Sequence, residues 1–450
     1  MSDLLNIGSS GLRAYRNALA SVSDNVTNSN TPGFSRRKIE LTESPVSSGS
    51  SLLYRPQASF GGVQTGAVTR AWDQFKASDA RIAATDYGAA SGRLTWVQRI
   101  ETALDDGDSG VGSRLTAVFN AADQLSSDPN GDFPRRNFLS SIDQAASAFR
   151  QTADDLKQVA DGIEADATSG ADLVNADLTT LARLNVQIRK AGVGTSTYAQ
   201  VADERDRLID EIASKVGIDV TLDNAGAARI TLTGSNGRVI LEDARTAQIG
   251  VQRALDGRIS FLVSGAGAAA STFTPSGGAF AGLQDASEQL AGRSQALDAI
   301  ATDFTTALNA WSAQGLDANG NGGTALLSVT AGAASIQALV TDPDLVPAGD
   351  ATNADFGNLL SLSTVRTTSG VEDRWVQMIA NHGQAVASAK TNSDVTSARK
   401  DIAFSARDAV SGVDLDTEAA DLLRYQQAYS ACAHIIQVAR ETMQSVLDIF

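Results

Sequence analysis

The chain has a single cysteine, Cys432, in 450 residues, so no internal disulfide can brace it and no redox compartment can be read from its thiols. Cys432 lies inside an apolar-periodic stretch, where a lone thiol serves as a small packing residue. Histidine is almost as scarce, with only His382 and His434. His434 follows Cys432 by two positions, about 200° around a helix, so the two cannot share a metal ion. No nucleophile–His–acid set can be assembled, and acidic pairs such as Asp105/Asp106 fall in turns. The expectation is therefore no enzyme, no cofactor and no metal site.

Basic residues are also short: 36 Lys and Arg stand against 52 Asp and Glu, a net charge of −16. Nucleic acids and anionic membranes are held by Lys/Arg patches, so neither is an expected partner. No run approaches the ~20 apolar residues of a membrane span. The N-terminus lacks the basic and continuous apolar regions of a signal peptide, which leaves a cytosolic protein or export that does not cleave this end. Aromatic residues are only 5%, while Ala, Ser, Thr, Asp and Gly abound, a profile that suits long helices with thin cores.

The apolar residues that are present are placed periodically, most clearly at the two ends. Residues Val413–Phe450 contain neither Pro nor Gly. Steps of four and three give Leu415, Ala419, Leu422, Gln426, Tyr429, Ala433, Ile436, Arg440, Met443, Leu447 and Phe450, a coiled-coil seam interrupted at Gln426 and Arg440. Asp414, Asp416, Glu418 and Asp421 crowd its start, where carboxylates suit the positive end of a helix dipole. The same alternation from the N-terminus gives Leu5, Gly8, Leu12, Tyr15, Leu19, Val22 and Val26. Beside it runs a line of mostly small residues: Leu4, Ile7, Gly11, Ala14, Ala18 and Ser21. Two adjacent stripes predict packing on two sides: the terminal helices pair as a coiled coil, and the pair packs against copies of itself.

Between the ends the periods change in order. Asn28, Asn30, Pro32 and Gly33 are turn formers, and Pro32-Gly33 suits the middle of a type II turn that presents Phe34 and the basic trio Arg36, Arg37 and Lys38. Residues 39–70 read as extended arms. Helical periods follow through Trp72 to Leu104, Leu115 to Leu125, and a long stretch from about Pro134 to Ile188 that Gly170 is expected to bend. A charged helix, Ala202-Asp-Glu-Arg-Asp-Arg-Leu-Ile-Asp-Glu-Ile, comes next. At Gly217 the period becomes two, with turns at Asn224-Ala-Gly, Ser235-Asn-Gly and Asp256-Gly. Helical pattern returns at Leu290–Trp311 and from Trp375 to about Ala409. Two look-alikes fail on context. Gly265-Ala-Gly-Ala-Ala-Ala lacks the βαβ setting of a dinucleotide fingerprint. Asp317-Ala-Asn-Gly-Asn-Gly has Ser328 where a calcium loop needs its bidentate Glu, and reads as a turn.

The fold expected is mainly α with a small inserted antiparallel β domain. Residues 1–38 plus 411–450 would form the paired coiled-coil helices, 39–216 plus 285–410 an elongated helical-bundle body, and 217–284 an outer β knob that could be replaced by a linker without unfolding the body.

Ser10-Gly-Leu-Arg-Ala followed by Asn25-Val-Thr-Asn-Ser-Asn-Thr-Pro-Gly-Phe-Ser-Arg resembles the N-terminal signature of bacterial flagellar rod, hook and hook-associated proteins. Ser411-Gly-Val-Asp-Leu-Asp-Thr-Glu-Ala-Ala-Asp-Leu-Leu-Arg-Tyr-Gln-Gln-Ala-Tyr is similar to the C-terminal motif of the hook-associated branch. Asp203-Glu-Arg-Asp-Arg-Leu-Ile-Asp-Glu-Ile, Leu308-Asn-Ala-Trp and Gln314-Gly-Leu-Asp-Ala-Asn-Gly-Asn fit the same branch. The resemblance implies a structural component of the extracellular flagellum that self-assembles at the hook–filament junction and leaves the cell through the flagellar type III channel. It further implies contact with the hook protein and a second junction protein, and an export chaperone on the C-terminal helix. Alternatives are another axial protein (hook, distal rod or second junction protein) or a secreted enzyme on a flagellar scaffold.

Overall fold

The computed structural model describes residues 2–44, 61–104, 107–234, 237–265, 269–352 and 356–448. Helix α1 (Ser2–Thr27) leads through a turn into the hairpin β1 (Arg37–Glu43) and β2 (Val63–Arg70). The body follows: α2 (Gln74–Ala103), α3 (Val111–Ser127), α4 (Asp132–Ala191) and α5 (Ser196–Lys215). The strands β3 (Ile218–Leu222), β4 (Ala228–Leu232), β5 (Val239–Glu242), β6 (Arg245–Thr246), β7 (Gln248–Arg253), β8 (Ile259–Ser264) and β9 (Ser271–Phe273) come next. The chain closes with α6 (Gly278–Ser312), the two-residue strands β10 (Leu327–Ser328) and β11 (Gln337–Ala338), α7 (Leu362–Ser369), α8 (Val371–Ser411) and α9 (Leu415–Leu447). The architecture is mainly α with small antiparallel sheets, as the periods predict.

Helix α4, at 60 residues, is the spine, about 90 Å at the α-helical rise. It runs through Gly170 without a break. A Cβ there would lie 2.8 Å from the Phe280 ring, so this glycine serves close approach. Helix starts follow local chemistry. Asp73 caps α2 by accepting from the N–H groups of Phe75 and Lys76, and Asp414 caps α9 by accepting from Asp416 and Thr417. Those N–H groups hold the Asp414 carboxyl below the usual carboxylate range.

The strands build two antiparallel sheets, ordered β3-β4-β5-β6 and β7-β8-β9. Neither stands apart from the helices. Asn185 of α4 donates to the Ala228 and Asp243 carbonyls at 2.9 and 3.0 Å and accepts from the Ala228 N–H at 2.8 Å. Asn175, also on α4, exchanges bonds with the backbone of Ile249. Phe261 stacks on Phe280 of α6 with centroids 4.5 Å apart, and Ile230, Leu241 and Val263 share one apolar cluster with Ile163, Val174 and Leu290. The sheets' inner faces are completed by α4 and α6, so strands and helices share one apolar cluster. The last strand ends at Phe273 and α6 opens at Gly278, so the helix begins before residue 284.

Two outcomes follow from this packing. Replacing residues 217–277 by a Gly/Ser linker uncovers Ile163, Val174 and Phe280, and cooperative thermal melting of the body should be lost; a sharp transition in the deleted protein would show that the helices close their own core. The second concerns His382 of α8, which is buried with Nε2 3.0 Å from the Val97 carbonyl oxygen and no partner for Nδ1 among the described residues. Burial first, and nearby Arg293, push its pKa down. The unfolded chain thus binds the proton more readily, so the stability this group contributes is full above about pH 6.5 and is lost as pH falls below it. The melting temperature should drop between about pH 7 and pH 5, and His382→Gln should flatten that drop.

Candidate assembly interface

Helices α1 and α9 pack antiparallel. Gly8 lies against Ile436 and Gly11 against Cys432; the rings of Tyr15 and Tyr425 are 6.3 Å apart; Asn25 meets Glu418. A Cβ on Gly11 would sit 2.5 Å from the Cys432 Sγ, and one on Gly8 would sit 2.6 Å from Ile436. The missing side chains let the helix axes approach, and the small line of α1 becomes the contact line. Buried positions on α1 are Gly8, Gly11, Ala14, Ala18, Val22 and Asn25. On α9 they are Glu418 and Ala439, with Leu422, Tyr425, Cys432 and Ile436 half-buried. Beyond Ala439 every described residue of α9 is exposed, because α1 has reached its N-terminus there.

This pairing stripe is rotated from the seam expected in the sequence. Of that seam, Gly8 and Val22 are buried and Leu5, Leu12, Tyr15, Leu19, Leu422 and Ile436 are half-buried, whereas Val26, Leu415, Tyr429, Met443 and Leu447 are exposed, Leu447 at 64%. Phe450 lies outside the described residues. Large residues give the stronger periodic signal in a sequence, but small ones permit the closer approach.

The turn after α1 has type II geometry. The Phe34 N–H donates to the Thr31 carbonyl at 3.1 Å across Pro32-Gly33, with Gly33 at φ +80°, a left-handed value that favours glycine. Asn28 donates back to Asp24, Asn30 is exposed, and the half-buried Phe34 ring lies 4.7 Å under the Arg37 guanidinium. The basic trio is not presented as expected. Only Lys38 is exposed, while Arg36 and Arg37 are drawn into the joint between the terminal pair and the body.

That joint is ionic and largely buried. Glu418, 1% exposed, accepts from Arg36 Nε at 2.6 Å and from Asn25 Nδ2 at 3.0 Å. The Asn25 amide also donates to the Arg37 carbonyl and its Oδ1 accepts from the Arg37 N–H, both at 2.9 Å, so one buried Asn holds β1 to both helices. Arg37 reaches Asp24 at 2.6 Å and Asp203 of α5 at 2.9 Å; Arg70, at the end of β2, reaches Asp203 and Asp206 at 2.8 Å. Burial alone would lower the Arg70 pKa, but Asp206 and Asp203 hold it raised. Burial likewise opposes ionisation of Asp206, and Arg205 and Arg70 more than offset it, keeping the carboxyl below its ordinary value. The Arg36 N–H donates to the Ser411 carbonyl at 2.8 Å, tying the turn to the end of α8.

The sequence alone does not assign Asn25, Arg70, Asp203 and Glu418 to a joint. The available signal was a polar Asn25 in line with the small residues Gly11, Ala14, Ala18 and Ser21 of α1, whereas Glu418 reads as one more carboxylate at the start of its helix. Among the described residues no group of three or more His, Cys, Asp and Glu is arranged to hold a metal ion. The Asp317 carboxylate is occupied by the N–H groups of Asn319 and Asn321, as a turn requires. Removing one partner of a buried ion pair costs about 3–5 kcal/mol. Asp203→Ala should therefore destabilise the joint by about 3 kcal/mol, since Arg70 keeps Asp206 and Arg37 keeps Asp24. Amide hydrogen exchange should quicken in β1 and β2 while α4 and α6 stay protected; unchanged exchange in the hairpin would show that Asp203 does not hold it.

Comparison with known proteins places the chain. Residues 97–327, half of its length, match the flagellar hook-associated protein FlgK helical domain. Residues 408–449 match the C-terminal model of flagellar basal body rod FlgEFG proteins, and residues 5–34 that of flagella basal body rod proteins. Flagellar hook-associated protein 1 of Escherichia coli (strain K12) is 22% identical over 553 aligned residues, covering 100% of both chains. That of Bacillus subtilis (strain 168) is 24% identical, covering 97% of this chain and 96% of the relative. That of Salmonella typhimurium is 26% identical over 73% of this chain and 60% of the relative. In fold the chain is similar to the flagellar hook junction protein FlgK from Burkholderia pseudomallei, with a TM-score of 0.51 and 23% identity over 56% of this chain and 46% of that one. Helical body and rod-type ends agree, and the chain belongs to the flagellar hook-associated protein FlgK family.

Proposed function

We propose that this protein is a structural component of the bacterial flagellum that seats at the junction of hook and filament by packing its terminal helix pair against copies of itself. The observation that carries this reading is the apolar surface left on α9 after α1 is paired: Leu415, Leu423, Tyr429, Val438, Met443 and Leu447 are exposed. A soluble helix rarely exposes so many large apolar residues along its length unless another surface covers them. The buried face of α9 is already used inside the chain, so the exposed one is free for neighbouring copies. Rod-type ends are shared among flagellar axial proteins, and the hook-associated body between them favours the junction over rod or hook.

In this reading residues 1–38 and 411–450 line the inner tube, with Leu5, Leu12, Tyr15, Leu19, Val22, Leu422 and Ile436 closing the pair. Leu415, Tyr429, Met443, Leu447 and Phe450 meet neighbours, and Val26 joins them at the turn. The hook protein lies on one side of the ring and a second junction protein on the other. A chaperone covers the C-terminal helix before export through the flagellar channel. The family is one of structural proteins, and the chain works by geometry and not by turnover.

The double change Tyr429→Asp, Met443→Asp tests this. Both side chains are exposed, so the melting transition should shift by no more than about 0.5 kcal/mol, as for surface substitutions generally. Each copy would nevertheless carry carboxylates into an apolar contact, at several kcal/mol per site. In a deletion strain complemented with the variant, cells should not swim and filament subunits should leak into the medium; Glu441→Gln should behave as the unaltered protein. Normal filaments by electron microscopy with the double variant would overturn the self-packing reading.

A further inference from the structure

Helix α8 parts from the body before it ends. From Ser397 to Val410 none of its residues is buried, and between this stretch, α2 and α5 lies a cleft of about 620 Å³. The cleft follows α2 from Ala77 to Thr95, about 27 Å at the helical rise, and the Pro32-Gly33 turn stands at the end nearest the terminal pair. Spread over that length, its volume admits one extended chain of about eight residues and not a helix about 10 Å across.

The lining is mixed, and its charges do not balance. Phe34, Trp72, Ala84, Tyr87 and Phe404 supply apolar wall. Each lining carboxylate is already taken: Asp206 by Arg70 and Arg205, Asp210 by Arg81 and Arg407, Glu211 by Arg207, and Asp408 by Arg407. Two lysines are left over. Lys215, in the last turn of α5, is half-buried, and its ammonium has no hydrogen bond or ion pair among the described residues. Lys400 lies 4.1 Å from the centroid of the Tyr87 ring, and its partner Asp401 is 3.9 Å away and 71% exposed to solvent. Half-buried ammonium groups give up part of their hydration, and a carboxylate brought to them restores it as charge-assisted hydrogen bonds. The surplus is local, because the chain as a whole carries a net charge of −16 and its overall field repels anions.

We propose that this cleft binds an extended acidic segment of another protein, its carboxylates on Lys215 and Lys400 and its apolar side chains against Tyr87 and Phe404. Among the described residues no exposed strand of this chain is acidic over such a length, so a second copy does not supply the segment. The site is on the body, and the proposal stands independently of the junction reading.

The test uses the full chain and two fluorescent peptides of that length, one of alternating glutamate and leucine and a twin with glutamine for every glutamate. Read by anisotropy, the glutamate peptide should bind at least about tenfold more tightly than the twin, against the repulsion of the whole molecule. Lys215→Gln with Lys400→Gln should lower the affinity for the glutamate peptide about tenfold and leave that for the twin unchanged, a split that general loosening of the fold would not produce. Circular dichroism and cooperative melting should be kept, because no buried carboxylate depends on either lysine. The same change at the exposed Lys157 and Lys190 of α4 should leave both affinities alone. Equal binding of the twins, unchanged affinity in the folded Lys215/Lys400 variant, or an equal loss in the Lys157/Lys190 variant overturns the proposal. So does displacement of the peptide by an equal concentration of citrate, which would make the occupant a small anion. Self-association that the Lys215/Lys400 variant abolishes would overturn it too, by making the occupant a second copy.

Discussion

The carboxylate of Glu418 sets the relation of everything else. Glu418 is one of two buried residues described in its helix, most of which is open to solvent, and it is satisfied only if Asn25 and Arg36 arrive together. That requirement fixes the register of α9 on α1, because sliding the pair by a turn would leave a buried charge unpaired. It also fixes where the rod of paired helices meets the body, because the Asn25 amide holds the Arg37 backbone while the Arg37 side chain holds Asp203. Buried ion pairs contribute little net stability compared with apolar packing, but they penalise every alternative arrangement heavily. The joint is thus better understood as a specification of geometry than as a source of strength.

The body solves a different problem. One helix, α4, spans most of it, and a thin, alanine-rich bundle cannot bury enough around so long a helix. The sheets are laid on its side and clipped by Asn175 and Asn185, which satisfy strand backbone groups that would otherwise be buried without partners. Aromatic stacking of Phe261 on Phe280 then joins the strands to α6. Helices and strands share one core because neither has enough apolar surface alone.

Much of this was legible in the sequence. Periods of 3.6 and 2 located the helices and strands, because apolar residues must recur on one face to be buried at all. Pro32-Gly33 announced its turn through backbone preference, which acts locally. What escaped was set by distant partners. Gly8 and Gly11 both fell on periodic lines of α1, but periodicity alone does not say that these small residues, and not Leu415 or Leu447, would be the contact, because approach distance decides the pairing. Arg36 and Arg37 looked like a presented charge run because their acceptors, Glu418 and Asp203, lie 382 and 166 residues away. The β segment looked separable because the asparagines that fasten it sit on a helix that reads as complete without it.

Asn25 and Glu418 are 393 residues apart in the chain. Contacts at such separation carry the largest loop-closure entropy and form only after the intervening segments have become compact. The joint is therefore a late event in folding, and α1 must wait without its partner while the body forms. Any chain whose body is misassembled holds its two ends at the wrong span, and the buried charge cannot be met. Closure of the terminal pair in this way reports on the correctness of everything between, and a subunit that has closed it has already folded the rest.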